Sequence, residues 1–164
     1  MTRRQSKPGT AYRTKPLRPH VADPYRSRGK PREPTVCGEC SAVFHAGRWQ
    51  WLPAPESAER ATCPACHRIS DNTPAGYVRL QGKFFVDHRD ELLNLVQNVE
   101  RRERAEHAIQ RIMKISDEAE GVLITTTDIH LARVIGEAVS HAYDGTLDMH
   151  FNDDENLARV HWTR

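Results

Sequence analysis

The segment "TVCGECSAVF" at residues 35–44 places two cysteines three positions apart, and "TCPACHRIS" at residues 62–70 repeats the spacing. Cys37, Cys40, Cys63 and Cys66 account for all the cysteine in a chain of 164 residues. Two residues between thiols let one tight turn aim both sulfurs at a single ion, and Gly38 and Pro64 suit such turns. With 22 residues between the pairs, the pattern is that of a four-thiolate zinc site. Four thiolates complete a tetrahedron, so the expectation is one structural Zn2+ with no open position for a substrate water. Iron–sulfur ligation would use the same residues, and the even layout of two knuckles favours zinc. His45 and His67 stand beside the pairs and are expected to be surface or packing residues. Thiols spent on a metal also fit a reducing compartment, and no apolar run approaches the roughly 18 residues of a membrane span. The expected location is the cytoplasm, with no membrane partner.

Charge is distributed unevenly on either side of this module. Residues 1–34 carry ten basic side chains, Arg3, Arg4, Lys7, Arg13, Lys15, Arg18, Arg26, Arg28, Lys30 and Arg32, against Asp23 and Glu33. This leaves 14 basic and 20 acidic residues for the rest, a basic arm on an acidic body. The arm also holds six of the ten prolines and almost no large aliphatic residues, so it cannot bury enough surface to offset ordering and is expected to be disordered when free. Extended, positively charged and interleaved with Tyr12, His20 and Tyr25, it has the footprint of a phosphate-neutralising, base-stacking anchor for nucleic acid, against the plainer reading of a solubilising tail.

The rest of the chain divides at the cysteines. Residues 35–72 read as a zinc ribbon in which "AVFHAGRWQWL" forms two short strands around Ala46-Gly47, and "PAPESAER" is a loop. Residues 77–164 alternate between strand and helix patterns. "YVRLQGKFFV" reads as a strand, and Asp87 then caps a helix with Leu92, Leu95, Val96 and Val99 on one face. The far end of that helix, "ERRERAEH", is polar all round. A strand through Ile109, Ile112 and Ile115 follows, then the β-branched run "VLITTT". Thr127 or Asp128 caps a second helix whose inward stripe is Leu131, Ile135, Ala138, Val139 and Ala142, and "LDMHF" and "LARVHW" close the domain as strands. The order β-α-β-β-α-β-β gives an α+β fold, a split β-α-β (ferredoxin-like) domain with helices on one face of its sheet.

No phosphate-binding glycine loop, nucleophile elbow or HExxH motif is present, and no cysteine is left over from the metal set. His130, beside three threonines, is the one candidate for acid–base chemistry, and without a partner base or nucleophile it reads as a capping-region residue or a phosphate contact. The chain is therefore expected to be a binder and not an enzyme, with no small-molecule substrate.

The CxxC…CxxC ribbon with "GRW" in its hairpin, followed by "GVLITTTDIHLARVIGEA", resembles the nonsense-mediated mRNA decay protein 3 family of large-ribosomal-subunit adaptors. Members carry more CxxC pairs than the two here. In that family a strand ending in Thr or Ser leads into a helix bearing His and basic residues, and Thr125 to Thr127, His130 and Arg133 match those places. The resemblance implies binding to ribosomal RNA on the large subunit, with His130 and Arg133 joining the arm as RNA contacts. The resulting expectation is a ribosome-associated protein that holds ribosomes inactive under stress or assists subunit assembly. The alternative is a DNA-binding, transcription-associated zinc ribbon, although no helix is markedly basic on an exposed face.

Overall fold

The computed structural model describes residues 23–25 and 29–164. The expected disorder of the basic arm lies mostly outside the described residues. What is described of the arm packs on the ribbon. Arg68, only 3% exposed, donates from Nη2 to Asp23 Oδ1 at 2.7 Å. Its guanidinium also lies over the Tyr25 ring at 4.4 Å. Tyr25 in turn donates its hydroxyl to Asp71 at 3.0 Å. Glu33 accepts the N–H groups of Ala46 and Gly47 at 2.7 and 3.0 Å, fixing the hairpin turn from outside.

The ribbon comprises β1 (Thr35–Cys37), β2 (Val43–His45), β3 (Arg48–Gln50), β4 (Glu59–Ala61) and α1 (Pro64–Asp71). Its sheet runs β3-β2-β1-β4. The β2–β3 hairpin turns at Ala46 and Gly47, both at positive φ as a two-residue turn of this twist requires. Two of its elements go beyond the sequence expectation. Glu59 and Arg60, placed in a loop, belong to β4, which pairs in parallel with β1. Helix α1 starts at the second knuckle itself: Pro64 occupies its first turn, Cys63 is its N-cap, and Asn72 ends it in the left-handed region at φ 50°.

The larger unit consists of β5 (Gly76–Gln81), α2 (Lys83–Asp87), α3 (Arg89–Glu106), β6 (Ile112–Glu118), β7 (Gly121–Thr126), α4 (Ile129–Tyr143), β8 (Thr146–Asn152) and β9 (Leu157–Thr163). The strand expected over "YVRLQGKFFV" stops at Gln81, and the Phe-rich remainder is the short helix α2. Gly82 makes the break: it sits at φ 107°, and a Cβ there would lie 2.4 Å from the Arg164 carbonyl oxygen. Asp87 is therefore the last residue of α2, paired with Lys83 at 2.6 Å, and α3 begins after His88 with no side-chain cap. Ile109 precedes β6 and packs with the ribbon.

The sheet order is β6-β7-β5-β9-β8. β5 and β6 flank the antiparallel β7, which is the expected split β-α-β arrangement. β9 enters between β5 and β8, parallel to the former and antiparallel to the latter, so the last strand occupies the interior of the sheet. Val78 and Leu80, Val122 and Ile124, and Val160 and Trp162 are buried in one core with Leu92, Val96 and Val99 of α3 and Leu131, Ile135 and Val139 of α4. Of the expected α4 stripe, Ala142 is exposed; Ala132 and Gly136 are buried instead. Gly136 marks the closest approach of helix and sheet, since a Cβ there would meet Val160 Cγ1 at 2.5 Å. Among the described residues no helix is long and apolar enough to cross a membrane.

Candidate metal centre and its surroundings

The four cysteines converge. Their sulfurs all lie within 4.8 Å of one another, contributed by the β1 knuckle and by the start of α1. Cys37 and Cys63 are almost wholly buried, Cys66 is 8% exposed, and none forms a disulfide. A tetrahedral ion with metal–sulfur bonds of about 2.3 Å has sulfur–sulfur edges of about 3.8 Å. Cys40 and Cys63 are separated by 3.8 Å. Donor type, number, burial and spacing thus all fit a metal held by four thiolates.

The backbone prepares the sulfurs for negative charge. Cys63 N–H donates to the Cys37 sulfur at 3.3 Å, and Cys66 N–H to the Cys63 sulfur at 3.4 Å. The second contact is also the cap of α1, so the positive end of the helix points at the site. Burial raises the Cys37 thiol, but the N–H groups of Cys63, Cys40 and Glu39 outweigh it and bring the group down to about 7. Burial, reinforced by the neighbouring sulfurs, pushes Cys63 far above the ordinary thiol value, and burial raises Cys66 as well. Four clustered sulfurs cannot share negative charge without a cation among them, and a bound divalent metal resolves this conflict.

A further cation comes from the other unit. Arg111 lies in the connection between α3 and β6, 6% exposed. Its Nη2 donates to Cys63 at 3.2 Å and to Cys40 at 3.3 Å, its Nη1 to Cys66 at 3.5 Å, and its Nε to the Ala108 carbonyl at 3.0 Å. Burial disfavours the guanidinium charge, but the surrounding sulfurs more than compensate and hold it protonated more firmly than usual. Thr127 fixes the backbone that carries it: Arg111 N–H donates to Thr127 Oγ1 at 2.9 Å, and Thr127 Oγ1 donates to Ile109 O at 2.6 Å. The threonine proposed from sequence as a helix cap is thus a brace for Arg111, while Asp128 caps α4, its Oδ1 accepting from His130 N–H at 2.7 Å. Nothing in the sequence near Arg111 signals its role, because its partners are 45 to 71 residues away.

The RNA candidates fall into separate groups. Arg3, Arg4, Lys7, Arg13, Lys15, Arg18, Arg26 and Arg28 lie outside the described residues. Arg32 is exposed and pairs with Glu59 at 3.2 Å. Arg133 is tied along α4 to both carboxylate oxygens of Glu137, at 3.0 and 3.1 Å. Lys30 and His130 meet at one cavity of about 380 Å³, walled by the arm, by Arg48 and Trp49 of the ribbon, and by His107 and the start of α4. Gln110 Oε1 is buried beside it without a hydrogen-bond partner among the described residues. Comparison of the chain with protein-family models, with curated proteins and with solved structures finds no match.

Proposed function

We propose that the protein is a non-catalytic RNA-binding protein that associates with the large ribosomal subunit, its four-cysteine centre holding a single structural Zn2+. All four donors are thiolates, which favours zinc over the harder divalent ions, and they leave no position for a reacting water. The observation that carries the functional reading is the charge asymmetry: residues 1–34 hold ten basic side chains against two acids, while the remainder is acidic overall. The body is acidic overall, so the arm supplies most of the long-range attraction to phosphate and the ribbon supplies its anchor. Asp23 and Tyr25 on Arg68, and Glu33 on the hairpin turn, are the contacts that tether it. The resemblance to large-subunit adaptors supports ribosomal RNA as the target, with hibernation under stress or subunit assembly as the setting in the cytoplasm.

Cosedimentation with ribosomes at low and moderate salt is the direct test, since phosphate contacts give a salt-dependent affinity. Wild-type protein should pellet with the large subunit at low salt and be released as salt rises, and a chain lacking residues 1–22 should lose most of the association. A protein that remains in the supernatant under both conditions overturns the reading.

A further inference from the structure

Strand alternation gives the larger sheet a second face, opposite the helices. Val78, Val160 and Ile124 are buried, and their neighbours Tyr77, Arg159 and Thr125 turn the other way. The register aligns those neighbours. Lys114 pairs with Thr125, Thr125 with Tyr77, Tyr77 with Arg159, and Arg159 with His150. Five strands therefore present one continuous row: Lys114, Thr125, Tyr77, Arg159, His150. With strands about 4.8 Å apart, the row is about 19 Å long.

The chemistry of this row differs from that of the next. There, Arg79 is locked onto Glu118 by two bonds of 2.6 and 2.9 Å, so its charge is spent within the protein. Lys114 and Arg159 are exposed, and among the described residues neither has an ion-pair partner. Tyr77 lies between them on the central strand, half-buried, and its hydroxyl has no hydrogen-bond partner among the described residues. At the end of the row His150 contacts Asp148 at 3.1 Å.

We propose that this open sheet face is a binding site for single-stranded RNA, with one unstacked base on the Tyr77 ring and the flanking phosphates on Lys114 and Arg159. An aromatic lying between two cations that have no ion-pair partner among the described residues, on an open sheet face, suits a splayed-out strand, whose bases are exposed, and not a duplex, whose bases are stacked inside. The free Tyr77 hydroxyl offers a partner for a ribose 2′-OH. The chain's own arm is the wrong occupant, because residues 1–22 carry six basic side chains and no acid. The inference rests on the RNA-binding reading and adds a second, base-contacting site on the body to the phosphate-neutralising arm.

The test uses the full chain, a fluorescent oligouridylate of about ten nucleotides at moderate salt, and photocrosslinking with the same RNA carrying 4-thiouridine. The double variant K114E/R159E, changed only at exposed positions, and Tyr77→Leu, which keeps apolar bulk, should each weaken binding about tenfold or more with unchanged thermal unfolding. The wild-type crosslink should map to the peptide containing Tyr77. If wild-type protein binds but both variants bind equally well and no crosslink maps to β5, the face is not the site and the arm alone carries the RNA reading. Equal affinity for oligodeoxythymidylate would overturn the assignment to RNA, and absence of binding to any RNA would overturn this inference and the RNA reading together.

Discussion

The guanidinium of Arg111 donates to the sulfur of Cys63 across the junction of the two units, at 3.2 Å. Its charge opposes that of four thiolates, which with a divalent ion would carry a net −2. Removing it should therefore act on the metal before it acts on the fold. Arg111→Gln should weaken metal affinity about tenfold to a hundredfold, the range seen when groups bonded to ligands are lost, measured by chelator competition. Lysine should restore little of this, because an ammonium cannot reach three sulfurs and the Ala108 carbonyl at once. Unchanged metal retention in Arg111→Gln would show that the contact is passive.

Metal removal should divide the molecule. The ribbon cluster around Cys37, Phe44, Trp49 and Cys63 is separate from the core around Leu80, Val122, Ile135 and Trp162. Chelation, or Cys63→Ser, should expose the amides of β1 to β4 and α1 to rapid hydrogen exchange while β5, β7 and β9 stay protected. Purified wild-type protein should contain about one equivalent of zinc by elemental analysis. Simultaneous loss of protection in both units would mean that the core depends on the metal as well.

Asp128 provides a pH test with a definite sign. Burial raises its carboxyl above the usual aspartate value, and the opposing pull of His130 and of the helix N–H groups only partly offsets this. A carboxyl raised in the folded state contributes stability below its unfolded value and loses it as pH climbs through the folded value. Asp128→Asn keeps a good cap without the ionisation, so its stability relative to wild type should improve as pH rises above the ordinary carboxylate range. Asp128→Ala should cost about 1 kcal/mol through loss of the cap. Urea unfolding of the three proteins at several pH values measures both effects. A wild-type minus Asn difference that is flat with pH would remove the burial argument.

Gly136 should invert the usual rule for glycine in helices. In an exposed helix, alanine is favoured by up to about 1 kcal/mol. Here the new methyl would lie 2.5 Å from Val160 Cγ1, a side chain only 2% exposed. Gly136→Ala should destabilise by roughly 1–3 kcal/mol, and adding Val160→Ala should recover part of the loss. Thermal unfolding of the single and double variants decides it, and a stabilised single variant would show that the helix can shift away from the sheet.

What the sequence disclosed was local. The cysteine spacing, the Ala46-Gly47 turn and the β-branched run into Asp128 each encode their structure within a few residues, and each lies where expected. The failures arose where distant partners decide. The run Phe84-Phe85-Val86 has strand propensity, but Gly82 and the Arg164 carbonyl turn it into a helix. Phe84 N–H donates to that same carbonyl at 2.9 Å. Arg111 looks like any strand-flanking arginine until the fold carries it to the sulfurs. The row on the open sheet face draws on five strands, so none of its members is conspicuous alone.

The interior place of β9 has a consequence for the order of events during synthesis. The β6–β7 hairpin can meet β5 as soon as residue 126 has left the ribosome, but the other edge of β5 must wait for residues 157–163. Until then, half of the central strand's hydrogen-bonding groups and the core faces of Val78 and Leu80 lack their Val160 and Trp162 neighbours. The nascent chain therefore passes through a stage with an open, apolar strand edge, the kind of surface that chaperones cover and that promotes misassociation when left bare.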